Sequence, residues 1–263
     1  MSDMKNVLED LYCRYNKREY VHPDPLEFLY NYSEIKDREI AGFIASSLAY
    51  GRVAQILKSV SSVLDKMGSS PYSFLVNSKP TVIKKTFKGF KHRFADDKNL
   101  YAALTGLKYI LMEYGSLYEC FLKGIKDNDE TILGSMEFFA KKIVSGCNAS
   151  PGHLVPVVEK GSACKRLHLF LRWMIRKDNV DPGGWDMIPT SMLIIPLDVH
   201  MHKIGRLLGF TNRKQANIVT ALEITSGFKK IMPDDPVKYD FTLTRFGIRD
   251  DMDIDSLLKE CHF

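Results

Sequence analysis

Two residues in this chain, Lys165 and Asp198, have the types and settings for covalent chemistry at carbon. Lys165 lies in KGSACKRLHLFLRWMIRKD, where Gly161 and Ser162 suit a tight hairpin ending in a helix N-cap. The lysine then falls in the first turn of the helix that follows. The positive end of the helix dipole, Arg166 beside it and Lys160 before it all disfavour another positive charge there, and so raise the share of free amine. A free lysine amine is the nucleophile of Schiff-base chemistry. The backbone amides of the same turn can also hold a phosphate, so a surface or phosphate-contacting lysine is the alternative reading.

Asp198 lies in MLIIPLDVHMHKIGRLLGF. An apolar run and Pro196 deliver it to the N-cap position of a helix whose apolar stripe is Val199, Met201, Ile204, Leu207 and Leu208. A carboxylate in that place is rigidly held and partly buried. Read alone, it is an ordinary N-cap. Asp198, His200 and His202 would share one face of a strand, which is the pattern of a metal hydrolase. On a helix, residues two apart do not face each other, and the apolar stripe favours the helix.

The elements that must position these residues are mostly helices. Helical spacing of apolar residues marks segments 6–18, 100–113, 131–144, 163–175, 199–208 and 214–231. A long helical stretch over 35–67 breaks near Tyr50 and Gly51. Asp24-Pro25 reads as an N-cap followed by Pro at the first helical position, and a last helix starts near Asp235-Pro236 and runs to Phe246. Residues 192–195 form a strand or a buried connector. There is no internal repeat. Two Gly/Pro-rich loops, 145–161 and 177–196, precede the Lys165 and Asp198 helices, and loops of that length in a compact domain are often functional.

Bulk properties narrow the class. The chain has 263 residues, 45% of them hydrophobic and 26% charged, which is enough for one large core or two closely packed subdomains. No apolar run approaches the roughly 20 residues of a membrane span. The N-terminal segment does not read as a signal peptide, so a cytoplasmic protein is expected. The five cysteines form no C-x-x-C pair and read as buried, reduced thiols. The net charge of +5 is a mild bias towards anionic partners. From Lys79 to Arg93 the chain carries Lys84, Lys85, Lys88 and Lys91 with no acid between, alternating with Val82, Ile83, Phe87, Phe90 and Phe94. That pattern predicts an amphipathic basic helix that lies along phosphates or forms a solvated face.

Together, the Lys165 and Asp198 segments resemble the helix-hairpin-helix DNA glycosylases. There, a glycine stands four residues before a catalytic lysine, as Gly161 does before Lys165, and a proline-containing approach leads to a catalytic aspartate, as in IPLDVH. The 33-residue gap between the two is similar to the archaeal 8-oxoguanine glycosylase branch. Over nearly the whole length, HPDPLEFLYNY, IASSLAYGRVAQI, KGSACKRLHLFLRWMIRKD, IPLDVH and PVKYDF resemble an uncharacterised family of proteins of this size (the DUF2400-like proteins).

The resemblance implies an all-α fold of two packed helical subdomains with a cleft between them. These are a bundle over 36–145, and 146–263 with 1–35 packed on it. It implies double-stranded damaged DNA as partner, no obligate protein partner, and base excision with abasic-site cleavage, including action on 8-oxoguanine. A catalytically silent DNA-binding protein of the same fold is the alternative.

Further roles follow by position. Lys165 and Asp198 are the catalytic pair. Gly161, Ser162, Arg166, Lys84, Lys88, Arg206, Arg213 and Lys214 meet DNA, and Tyr50, Gly51 and Arg52 fall where relatives insert into the base stack, or form a plain helix break. Trp185, His200, Phe241 and Phe246 line the base pocket, while Phe170 and Trp173 are stacking candidates or core. The resemblance also leaves room for a structural monovalent cation at the hairpin and implies no cofactor, since the iron–sulfur cysteine pattern is missing. The chain departs from the pattern at Ala163, which replaces the second hairpin glycine. It departs again before the hairpin, where Pro156 spoils a first helix.

Overall fold

In the computed structural model the described residues are 2–147, 149–156, 161–249, 252, 253 and 257. They are predominantly helical, as the periodicity requires. The molecule is organised around α2 (Ile35–Ser47), whose residues from Glu39 to Ser47 are all buried. One side of α2 meets a 3-10 helix, Pro25–Asn31, and another meets α9 (Lys165–Ile175). The approach is close: a Cβ on Gly42 would sit 3.2 Å from Leu29 and 3.4 Å from Phe170. Asp24 caps the 3-10 helix by accepting from Leu26 N, and Pro25 follows it. The Asp-Pro signal thus marks a start, though of a 3-10 helix.

The predicted break between 35 and 67 is real. After α2 the chain turns at Tyr50 and Gly51, which has φ +100°, and enters α3 (Val53–Met67). Two short helices, α4 (Pro71–Asn77) and α5 (Pro80–Thr86), lead to α6 (Asp97–Tyr114), α7 (Leu117–Leu122) and α8 (Leu133–Ser145).

The long basic helix expected over 79–93 does not form. Pro80 starts α5, but the helix ends at Thr86, and Gly89 turns the chain with φ +78°. The chain then makes a two-strand hairpin, β1 (Lys91–His92) and β2 (Ala95–Asp96), with Arg93 and Phe94 at its tip. His92 is buried inside the hairpin, with its ring nitrogens bonded to Ser59 Oγ and Tyr50 O. Phe94 is left 77% exposed.

The first half of the second Gly/Pro-rich loop has a structural job. Residues 177–185 clasp the C-terminal end of α9. Gly183 N and Trp185 N donate to Trp173 O and Met174 O, and Asp178 and Asp181 hold Arg176. Trp185, expected in the base pocket because it follows two glycines, is fully buried. It stacks on Tyr118, crosses Phe170 edge-on and donates from Nε1 to Glu39 Oε2. Phe170 and Trp173 are core as well. Residues 192–195 are a buried connector without strand pairing among the described residues.

The chain ends in α10 (Val199–Leu207), α11 (Ile218–Lys229) and α12 (Asp240–Ile248). The last two start several residues later than their periodicity suggested, because Asn217 caps α11 and a turn precedes α12. No described helix is long and apolar enough to cross a membrane. Of the cysteines, Cys120 and Cys164 are buried, Cys147 is partly so, and Cys13 is exposed, contrary to expectation. Cys261 lies outside the described residues.

Candidate active site

Lys165 is the first residue of α9, and Asp198 is the N-cap of α10. The two helix starts converge so that Lys165 Nζ stands 3.1 Å from Asp198 Oδ2. The carboxylate is divided between two tasks. Oδ1 accepts from the backbone N–H of His200 at 2.9 Å and of Met201 at 2.8 Å, which fixes the side chain and caps the helix. Oδ2 is left for the amine. The lysine is one-third exposed and the aspartate 13% exposed, so the pair lies at a mouth rather than in the interior.

The turn before Lys165 is built from special backbone. Gly161 has φ +69°, with open space where a Cβ would point. Cys164 takes the left-handed conformation at φ 44°, a strained setting for a residue with a side chain, costing on the order of 1 kcal/mol. Its N–H is bonded to Ser162 Oγ. Gly161 O accepts from Ile218 N and Ser162 pairs with Asn217, so the turn is tied to the start of α11. Ala163, at the usual second glycine, is buried. Before the turn, residues 152–154 make one 3-10 turn and Val155 is extended. Residues 157–160, including Lys160, lie outside the described residues.

Behind the pair lies a cavity of about 590 Å³, within the range of small-ligand sites. One face of α9 forms a wall through Lys165, Leu169 and Arg172, spaced by four and three residues. Asp198 and His200 also line it, α12 supplies Asp240, Thr244 and Arg245, and Asp24 and Tyr50 contribute from earlier in the chain. A second depression of about 360 Å³ runs along Ser162, Cys164 and Arg166 and shares Lys165 and Tyr50 with the first. Lys165 therefore stands where the groove along residues 162–166 meets the cavity.

The inner end of the cavity is ionic, and none of it was expected. Arg172 bonds both Asp181 and Asp240, and Arg245 bonds Asp24 at 2.9 Å. Burial pushes the Asp240 carboxyl up to about 6 against the pull of Arg172, and the nearby Asp198 charge adds to the rise. Burial also opposes the charge on Arg172, but Asp181 and Asp240 outweigh it and hold the guanidinium charged. The available signal was Arg172, Asp240 and Arg245 recurring on faces that are otherwise apolar.

The other expected residues divide. His200 lines the cavity, packed where a Cβ on Gly247 would collide with its ring. Phe241 and Phe246 do not line it. Phe241 is buried under the Arg245 guanidinium and Phe246 packs edge-on against Tyr15, because α12 turns Asp240, Thr244 and Arg245 inward instead.

Arg166 is not a surface cation. Its guanidinium donates to Ser47 O and His153 O and lies over the Tyr50 ring, and burial holds its pKa below the usual arginine range. Tyr50 is pinned by a hydrogen bond from its hydroxyl to His92 O and another with His153. Gly51, which lines the cavity, and Arg52, which does not, are exposed, and a Cβ on Gly51 would meet the Arg93 side chain.

Lys84, Lys88, Arg206 and Lys214 are exposed. Arg213 is paired with Glu223 at 2.7 Å. His202 bonds Arg213 O and does not join Asp198 and His200 as a metal set, since all three sit at the start of a helix. Among the described residues no group of three or more His, Cys, Asp or Glu is arranged to hold a metal ion.

These features define a predominantly α-helical protein with a lysine–carboxylate pair at the mouth of a cavity. Residues 24–249 match the family described as "Protein of unknown function (DUF2400)", and the chain belongs to that family. No curated protein and no solved structure matches it.

Proposed function

We propose that the protein is a DNA base-excision glycosylase with abasic-site lyase activity, in which Lys165 is the nucleophile and Asp198 its partner. The observation that carries this reading is the 3.1 Å approach of Lys165 Nζ to Asp198 Oδ2 at the mouth of the cavity. The resemblance of the hairpin and IPLDVH segments to helix-hairpin-helix glycosylases supports it. On this reading the cavity separates two subdomains, 36–145 and 146–263 with 1–35 packed on the second. Tyr50 and Val53 line it from the first, Asp24 from the packed segment, and Lys165, Asp198 and α12 from the second.

A nucleotide is turned out of the duplex into the cavity, at a cost of a few kcal/mol. The Lys165 lone pair bonds to C1′ as Asp198 Oδ2 takes a proton from Nζ. The electrons of the C1′–N bond leave with the base, which is protonated as it departs. Opening of the sugar ring gives a C1′=N iminium. Loss of a C2′ proton expels the 3′ phosphate, and water then frees the lysine. Alternatively, Oδ2 stays ionised and supports the positive charge developing on the sugar, and the Nζ proton passes to the departing base.

On this reading Gly161, Ser162, Lys214 and Arg206 follow the DNA backbone. On the same reading Tyr50, Gly51 and Arg52 enter the base stack, and Phe94, exposed at the tip of the β1–β2 hairpin under the Arg93 guanidinium and edge-on to His153, joins them as an apolar wedge.

The test is borohydride trapping on duplexes carrying 8-oxoguanine or an abasic site. A covalent adduct formed by the wild type and missing in Lys165→Gln is expected. Normal duplex binding with no adduct on any damaged DNA overturns the reading and leaves a DNA-binding protein without turnover.

A further inference from the structure

Phe94 is a large apolar ring left 77% exposed, at a hairpin tip with only Arg93 and Phe94 between the paired residues His92 and Ala95. Arg93 has φ 51°, a strained setting for a residue with a side chain. Such strain persists where the surroundings over-determine the backbone. Here Ser59 Oγ and Tyr50 O hold the His92 ring inside the hairpin, and Gly51 leaves the space that the Arg93 side chain fills.

A single side chain, His153, touches both the exposed ring and the cavity wall. It meets Phe94 edge-on, with centroids 6.1 Å apart, and Tyr50 edge-on at 5.1 Å. Its Nε2 lies 3.0 Å from the Tyr50 hydroxyl. That hydroxyl has one hydrogen and donates it to His92 O, so His153 Nε2 carries a proton and donates to the Tyr50 oxygen. Tyr50 in turn lines both the cavity and the groove along residues 162–166, as Lys165 does. The backbone at 153 is held separately, by Arg166 donating to its carbonyl, so a change of side chain leaves the segment anchored.

We propose that His153 is a positioning residue that locks Phe94 and Tyr50 into one unit, so that the wedge at the hairpin tip and the cavity wall beside Lys165 engage a duplex together. A ring pushed between stacked bases must be braced against the stacking it displaces. His153 braces Phe94 from the side and is itself fixed by its N–H bond to Tyr50. The proposal rests on the reading of Tyr50 and Phe94 as residues that enter the base stack.

The test is optical and needs no chemistry. The full chain, at saturating concentration, is bound to a duplex carrying a tetrahydrofuran abasic analogue, which forms no Schiff base, beside 2-aminopurine, whose emission rises as it unstacks. The wild type is expected to raise the emission. His153→Leu fills similar space without a donor and is expected to lose the rise while still binding and melting normally. His153→Gln supplies an amide N–H to the Tyr50 oxygen and is expected to keep it. Tyr50→Phe cuts the same bond from the other side and is expected to lose the rise as well.

A wild type that binds without a rise overturns the proposal. So does a rise retained in either folded variant lacking the bond, or a Gln variant that fails as Leu does. The two readings fail separately. A protein that forms no borohydride adduct yet shows the His153-dependent rise keeps the positioning unit and loses the glycosylase. One that forms the adduct without that dependence loses the positioning unit alone.

Discussion

Replacing Asp198 with Asn separates the two jobs of one carboxylate. Oδ1 caps α10 by accepting from His200 N and Met201 N, and Asn retains an oxygen for that purpose. Oδ2 faces Lys165 Nζ at 3.1 Å, and Asn removes its charge. The stability cost is small. An ion pair whose lysine is one-third exposed contributes about 0–1 kcal/mol after solvent screening. The negative charge at the helix N-terminus adds about 0.3–1 kcal/mol. The expected total is about 1 kcal/mol, or a fall in Tm of about 3 °C.

Asp198→Ala also loses the cap and should cost about 1 kcal/mol more. The effect on chemistry is of another order. Without Oδ2 the lysine loses its proton acceptor, so adduct formation on abasic-site DNA should slow by about 10²-fold or more. Single-turnover borohydride trapping measures the rate, and thermal unfolding of the same preparations measures stability. An Asn variant that traps at the wild-type rate would show that Asp198 is a cap and nothing more. An Asn variant destabilised as much as Ala would contradict the division of labour between the two oxygens.

Other outcomes follow from the same geometry. Phe94→Ala should leave melting unchanged, since the ring is exposed, but slow trapping at an abasic site in a fully paired duplex more than at one in a single strand. Arg172→Met strands Asp240 as a buried charge and leaves Asp181 with Arg176 alone, and should lower stability by about 3–5 kcal/mol in denaturant unfolding.

Glu39 has a pH signature. Burial raises it from 4.5 to about 7, against the donors Leu117 N, Tyr118 N and Trp185 Nε1. A carboxyl raised on folding contributes stability that is present below about 4.5 and lost as pH rises through about 7. Glu39→Gln cannot titrate, so the stability gap between wild type and variant should shrink by roughly 3 kcal/mol over that window. Denaturant midpoints at pH 4.5 and 7.5 measure it, and a constant gap contradicts the assignment.

The sequence disclosed most of the longer helices and the two starts that bring Lys165 and Asp198 together. It could do so because caps and apolar spacing act locally: Asp198 caps α10 as its neighbours required, and the break at Tyr50 and Gly51 needs a positive φ that glycine supplies. Tertiary overrides were not legible. The run of lysines and phenylalanines over 79–93 has helical spacing, but burying His92 against Tyr50 and Ser59 requires a hairpin there. Trp185 looked like a cleft residue because of its glycines, which instead let the loop return to the end of α9 and deliver the indole to Glu39. The inner ring of Arg172, Asp240, Arg245 and Asp24 joins segments more than 200 residues apart at its extremes, and no local pattern reports such a meeting.

The central claim is that Lys165 Nζ is a nucleophile towards the sugar carbon of DNA. Intact-mass measurement after borohydride reduction of the protein with abasic-site duplex, followed by peptide mapping of the adduct, tests it most directly. The account predicts one covalent DNA adduct, carried by the peptide containing Lys165. An adduct mapped to another amine, or no adduct while the duplex is bound, would contradict it.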